Sequence, residues 1–173
     1  AGGDTGHAMI RPLRNALVKA LEWALIVTMA VLVLDVTWQV ATRFLFKKPS
    51  PWTEELATIL MVWASLQGGA LAYARKMHLG VDYFVGLLEA RRQALVALVV
   101  HALCGGFAAY VMVYGGWRIV TRTLAVHQLT PALGWERGHV YLALPVAGLF
   151  IVLFALEGLA GEARKLRAAE GAP

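Results

Sequence analysis

Two titratable residues, Asp35 and His101, fall inside long apolar stretches, where ionisable groups are the first places to look for activity. Asp35 could carry a proton across a membrane, or it could pair with a polar group on a neighbouring helix, for which Gln67 is the nearest candidate. A carrier site usually draws ligands from several helices, and no second acid lies deep within an apolar stretch. The pattern therefore favours pairing, with a self-contained proton-coupled carrier as the alternative.

His101 raises the further alternative of a haem-binding redox subunit, which would need a second histidine at matching depth. The other candidates, His78, His127 and His139, fall at the ends of apolar stretches or in loops. Cys104 is the only cysteine, which excludes a disulfide and a paired-cysteine redox motif. The sequence has no phosphate loop, metal-binding repeat or nucleophile motif. We therefore predict no enzyme activity, no cofactor and no metal.

A polar insert, KKPSPWTEEL at residues 47–56, separates two apolar stretches. Ser50 is suited to a helix cap and Pro51 to the first helical position, where its missing N–H costs nothing. Trp52 is expected at the level of the lipid headgroups, as amphipathic aromatic residues often are. The insert therefore predicts the start of a membrane-spanning helix.

Two adjacent acids, Glu54 and Glu55, follow in the first turns of this predicted helix, where the helix dipole favours negative charge. One glutamate would be enough for the dipole. The second therefore indicates a specific partner, such as Arg43 or a group on another chain.

Composition places the chain among membrane proteins. Of its 173 residues 59% are hydrophobic and 16% are charged, and its mean hydropathy is +0.62. Soluble domains are about 45–50% apolar and about 25% charged. The sequence therefore predicts an integral membrane protein.

Apolar segments long enough to cross a bilayer predict an all-α fold with four transmembrane helices, at residues 20–41, 56–73, 94–117 and 140–159. They would form a single membrane domain over residues 9–167, followed by a tail at 168–173. The first eight residues have the composition of a cloning remnant, and Met9 is the expected native start.

Lysine and arginine predict the orientation, because loops rich in them stay in the cytoplasm. Ten of these residues fall on the side shared by the two termini, and six fall on the other side. We therefore expect both termini in the cytoplasm and the chain in a bacterial inner membrane. In a helix, residues 11–23, RPLRNALVKALEW, would have apolar side chains on one face and polar or charged ones on the other. This pattern predicts an N-terminal amphipathic helix on the membrane surface.

The net charge of +5 reflects this bias together with attraction to phospholipid. The sequence has no basic surface with interleaved aromatic residues, so nothing in it suggests nucleic-acid binding.

Small residues at helical spacing mark surfaces where helices could approach closely in lipid. Gly68 lies between Ala64 and Ala72 in one such stripe, and Gly69 follows Ser65 in its neighbour. These stripes could pack inside a four-helix bundle or against a separate subunit. Pro145 and Gly148 would allow a bend in the fourth span.

Several segments together resemble the small membrane subunit, of the DctQ type, of tripartite ATP-independent periplasmic (TRAP) transporters. The resemblance is carried by Arg43, PSPWTEEL at 49–56, Trp63 with Gly68 and Gly69, ARKMHLGVDYF at 74–84, TPALG at 130–134 and YLALP at 141–145. It extends from the first span to the fourth.

The resemblance implies a four-span accessory subunit of a sodium-coupled transporter for small organic acids. A large membrane subunit, which moves as an elevator, would bind sodium and substrate, and a periplasmic substrate-binding protein would deliver the substrate. This chain would brace the large subunit and bind no substrate itself.

The resemblance also suggests places for individual residues. Trp52, Glu54 and Glu55 would mark the outer end of the second span, whereas His78 and Asp82 would mark its inner turn, in structural or interfacial roles. The family often has glycine two residues before this histidine, and here the residue is Lys76.

Overall fold

The structure is a computed structural model, and it describes residues 5–45, 47, 50–75 and 90–170. The regular elements in these residues are helical. They are α1 (Thr5–Phe44), α2 (Pro51–Ala74), α3 (Ala90–Phe107), a π-helical segment (Ala108–Gly115), α4 (Gly116–Ala125), α5 (Arg137–Tyr141) and α6 (Ala143–Glu170).

Four helical stretches among the described residues are long and apolar enough to cross a membrane. They are Arg14–Phe44, Pro51–Ala74, Arg92–Ala125 and Arg137–Arg164. Each contains one of the four spans predicted from the sequence. The all-α class and the four membrane-capable helices are therefore confirmed.

The first span is part of a much longer helix. α1 has 40 residues, which at 1.5 Å per residue gives about 60 Å, whereas the hydrocarbon core of a bilayer is about 30 Å thick. The amphipathic segment at residues 11–23 is continuous with the span and contains Pro12. Its place on a membrane surface stays a prediction.

The second span begins at Pro51, as the polar insert predicted. The Thr53 hydroxyl donates to the backbone oxygen of Ser50 at 2.8 Å, and the two hydroxyl oxygens lie 2.6 Å apart. Thr53 is fully buried. These contacts fix the first turn of α2.

The third span is one helical run with a change of winding in its middle. α3 continues through the π segment into α4. π-helical turns are rare overall, but those that do occur are often found at functional sites. The apolar sequence of this segment, AAYVMVYG, contains nothing that predicts the extra residue per turn.

The fourth span is interrupted at Leu142, between α5 and α6. Pro145 has no N–H to donate to Tyr141, four residues earlier, so the helical bonding pattern is broken there. It resumes where Val146 donates to the Leu142 oxygen at 3.1 Å. The interruption lies next to the proline at which the sequence predicted a bend.

The chain divides into two compact units. The first contains α1, α2 as far as Leu71, and Leu129–Trp135, which we call the 129–135 loop. The second contains the end of α2, α3, the π segment, α4, α5 and α6.

Glycines allow close packing of the third and fourth spans within the second unit. A β-carbon placed on Gly148 would lie 2.6 Å from the β-carbon of Met112, and one placed on Gly105 would lie 3.0 Å from that of Ala155. A side chain at Gly148 would therefore overlap Met112, and one at Gly105 would require Ala155 to shift slightly. Such close backbone approach is how helices gain packing energy in lipid.

Candidate functional site

Glu55, in the second turn of α2, holds the 129–135 loop. Its Oε2 atom accepts hydrogen bonds from the backbone N–H groups of Ala132 at 2.7 Å and Leu133 at 3.1 Å. Bonds from N–H groups to a carboxylate are stronger than neutral ones. The contact joins two segments singled out in the sequence, 49–56 and 130–134, which are more than seventy residues apart.

The loop is also closed on itself, so that it presents these two N–H groups in a fixed arrangement. Thr130, which is buried, donates its N–H to the Trp135 oxygen at 2.7 Å, and its hydroxyl accepts the N–H of Trp135 at 2.9 Å. Gly134 bonds to the Thr130 oxygen at 3.1 Å with a φ of +65°. A residue with a side chain would be strained at that angle.

The other residues predicted around this helix start have separate surroundings. Glu54 is exposed, and Trp52 is 43% exposed. Arg43, in the last turn of α1, is exposed, and its guanidinium carbon lies 6.0 Å from the centre of the Phe44 ring. Of the two adjacent acids, Glu55 is the one that reaches the loop. The sequence suggested a specific partner for one acid but did not predict these amides.

Asp35 is buried in α1, with 7% of its surface exposed. Its Oδ2 atom has no hydrogen-bond partner among the described residues. Gln67, which the sequence suggested as the partner of Asp35, instead accepts a hydrogen bond from the Thr28 hydroxyl at 3.2 Å. Gln67 thus joins α1 to α2 through Thr28.

His101 contacts Tyr73, a residue that the sequence analysis did not single out. The Tyr73 hydroxyl oxygen lies 2.7 Å from Nδ1 of His101, and the two rings meet edge to face. A β-carbon on Gly158 would lie 2.7 Å from Nε2 of the same ring. One ring nitrogen is therefore bonded, and the other lies against the backbone of α6. No spacing in the sequence predicts a pair 28 residues apart.

Two predicted glycines, Gly68 and Gly69, have open space beside them in the part of the chain that the structure describes. Nothing there lies within 4 Å of a β-carbon placed on either residue. His78 and Asp82 lie outside the described residues. Within the described ranges, no three His, Cys, Asp or Glu side chains are grouped to hold a metal ion.

Residues 32–165 match the family described as tripartite ATP-independent periplasmic transporters, DctQ component. This match covers most of the chain. The chain belongs to the DctQ family. The match includes both Glu55 and the loop that it holds.

Similar proteins carry related names. The sialic acid TRAP transporter small permease protein SiaQ of Vibrio cholerae is 32% identical over 149 residues, which are 86% of this chain and 84% of that protein. The C4-dicarboxylate TRAP transporter small permease protein DctQ of Rhodobacter capsulatus is 28% identical over 65% of this chain and 49% of its own length.

A third relative, the isethionate TRAP transporter permease protein DctMQ of Oleidesulfovibrio alaskensis, is 29% identical over 69% of this chain. The match covers only 19% of that protein. Together with the four apolar helices, these similarities identify a multi-pass membrane protein and an accessory component of a TRAP transporter.

Proposed function

We propose that this chain braces the large membrane subunit of a sodium-coupled TRAP transporter and binds no substrate itself. The observation that carries this proposal is the state of two polar residues in the described spans, Gln67 and His101. Gln67 bonds to Thr28 and His101 bonds to Tyr73, so each is engaged in joining helices. A carrier site instead needs polar groups, often on broken helices, turned toward a substrate near the midplane.

The partner in this proposal is a large membrane subunit that holds sodium and substrate. The name DctMQ and the 19% of that relative's length matched here support it, because a DctQ-like segment there is part of a much longer chain. A periplasmic substrate-binding protein is the third component. Phospholipid surrounds the remaining apolar faces.

The transported compounds are small organic acids. Sialic acid, isethionate and C4-dicarboxylates, named for three relatives, all carry acidic groups. Specificity lies in the partner subunits, because Gln67 and His101 bond to other residues of this chain.

The chain lies in the bacterial inner membrane with both termini in the cytoplasm. The lysine and arginine distribution supports this orientation. It places the start of α2 and the 129–135 loop on the periplasmic side. The amphipathic first part of α1, residues 11–23, lies along the cytoplasmic membrane surface.

Isolation of the tagged chain from its native membrane in mild detergent tests the proposal. We expect a much larger membrane protein to accompany it, and deletion of the chain to abolish sodium-dependent uptake of an organic acid by the cells. Uptake that is unchanged in the deletion strain would contradict the proposal.

A second candidate function is a self-contained proton-coupled carrier. The buried carboxyl of Asp35, whose Oδ2 lacks a described hydrogen-bond partner, is the observation that favours it. In that case Asp35→Asn abolishes transport while the protein still assembles. If the bracing role is correct, the same substitution changes stability or assembly and has no separate effect on transport.

A further inference from the structure

A shallow groove of about 450 Å³ opens on the surface of the third span, within the second unit. It is lined by Gly106, Ala109, Tyr110 and Tyr114. Among the described residues, nothing lies within 4 Å of a β-carbon placed on Gly106, so the floor of the groove is bare backbone.

Two tyrosine rings form the wall of the groove. The rings of Tyr110 and Tyr114 are stacked, with centroids 5.8 Å apart and planes 20° from parallel. They are 72% and 58% exposed. Neither hydroxyl has a hydrogen-bond partner among the described residues of the chain.

The position of Tyr110 along the span makes this exposure informative. The third span, predicted at residues 94–117, lies within the helical stretch Arg92–Ala125, and Tyr110 is seven residues inside the end of the span at Trp117. Tyrosine normally lies at the headgroup level, where its hydroxyl is hydrated. A hydroxyl facing lipid tails has no hydrogen-bond partner, and that is unfavourable. The chemistry of this face therefore favours a cover that contains polar groups.

The floor of the groove has the shape that a helix needs. Gly106 and Ala109 are small, and small residues let a second helix backbone come close enough for polar groups to bond across the contact. A helix lying there could offer the Tyr110 hydroxyl a backbone carbonyl or a serine, threonine or asparagine side chain. Lipid tails offer none of these groups.

We propose that this groove is the binding site of a transmembrane helix of the large subunit, which bonds to the Tyr110 hydroxyl within the membrane. The inference rests on the accessory role proposed above and adds the surface through which it is exercised. The DctMQ relative favours the large subunit over a second copy of this chain, because there the matching segment is part of a longer protein.

Photocrosslinking in cells that also express the large subunit tests the proposal. The photoreactive residue p-benzoylphenylalanine replaces Tyr110 in one variant of the full chain. In a matched variant it replaces Val111, which is 44% exposed and points about a quarter turn further round the helix. We expect a light-dependent adduct with the large subunit from position 110, and several-fold less from position 111.

The hydroxyl is tested separately by Tyr110→Phe, with Tyr141→Phe as the control at a tyrosine outside the groove that is 39% exposed. Loss of one interhelical hydrogen bond should weaken association with the large subunit roughly threefold. Tyr141→Phe should leave association unchanged.

The outcomes separate the groove from the accessory role. If the large subunit co-purifies but position 110 forms adducts only with lipid or with a second copy of the chain, the groove proposal is wrong and the accessory role stands. If no large membrane protein accompanies the wild-type chain, both are wrong.

Discussion

Oε2 of Glu55 lies 2.7 Å from the backbone nitrogen of Ala132, which makes a side chain of the second span the anchor of a loop between the third and fourth spans. The loop is short, and Thr130 bonds it internally to Gly134 and Trp135. Holding two of its amides therefore restrains the rest of the loop. This contact explains why two adjacent acids follow Pro51. Glu54 lies in the first helical turn, where the dipole favours it, and Glu55 holds the loop.

Replacing Glu55 should loosen the loop. Glu55→Ala removes the acceptor of two N–H groups, one exposed and one part-buried, and a hydrogen bond to a charged group contributes at most about 1.5–3 kcal/mol. We expect the amides of Ala132 and Leu133 to exchange faster with deuterium, with partial protection in Glu55→Gln. Glu54→Ala is the control, because Glu54 is exposed. Equal exchange in both alanine variants would show that the anchor is absent.

Gly158 should not tolerate a side chain. A β-carbon there would lie 2.7 Å from two atoms of the His101 ring. Overpacking of this kind costs about 1–3 kcal/mol. We therefore expect Gly158→Ala to lower the thermal denaturation midpoint in detergent.

The matched control for Gly158 is on the same helix. Gly161→Ala meets open space, since no described residue lies within 4 Å of its β-carbon position. It should leave the midpoint unchanged or raise it slightly, because alanine favours helix. If both variants denature at the same temperature, Gly158 does not pack closely against His101.

The hydrogen bond between Tyr73 and His101 should contribute to stability. Tyr73→Phe removes the hydroxyl, so that Nδ1 of His101 loses this hydrogen bond. The free energy of unfolding should fall by about 1–3 kcal/mol. The double variant with His101→Asn should lose less than the two single variants combined, because the residues interact directly. Strict additivity in chemical denaturation would contradict the contact.

The orientation of the chain can be read by labelling. In a Cys104→Ser background, Lys47→Cys and Arg167→Cys place single cysteines at exposed positions. With both termini in the cytoplasm, a membrane-impermeant maleimide should label position 47 but not 167 in spheroplasts. Labelling of 167 alone would reverse the topology.

Much of the fold could be predicted because long apolar runs have few alternatives in a membrane. The start of α2 could also be predicted, since Ser50 and Pro51 act within a single turn. The π segment could not, because winding in an apolar run depends on how its neighbours pack, as Gly148 does against Met112. Sequence spacing carries no record of such contacts.

The candidate site was predictable only in its components. Local rules placed Glu55 at a helix start, and the resemblance marked residues 130–134, but nothing local joined them. Tyr73 carried no signal at all, because its partner is on another helix. Tertiary contacts between distant segments decide both pairs.

Sodium-driven uptake in reconstituted vesicles shows whether this chain transports only together with the large subunit. Sialic acid, isethionate and a C4-dicarboxylate serve as substrates, and vesicles contain this chain alone, the large subunit alone or both, each with the binding protein outside. We expect uptake only where both membrane subunits are present. Uptake by vesicles that contain this chain without the large subunit would contradict the account.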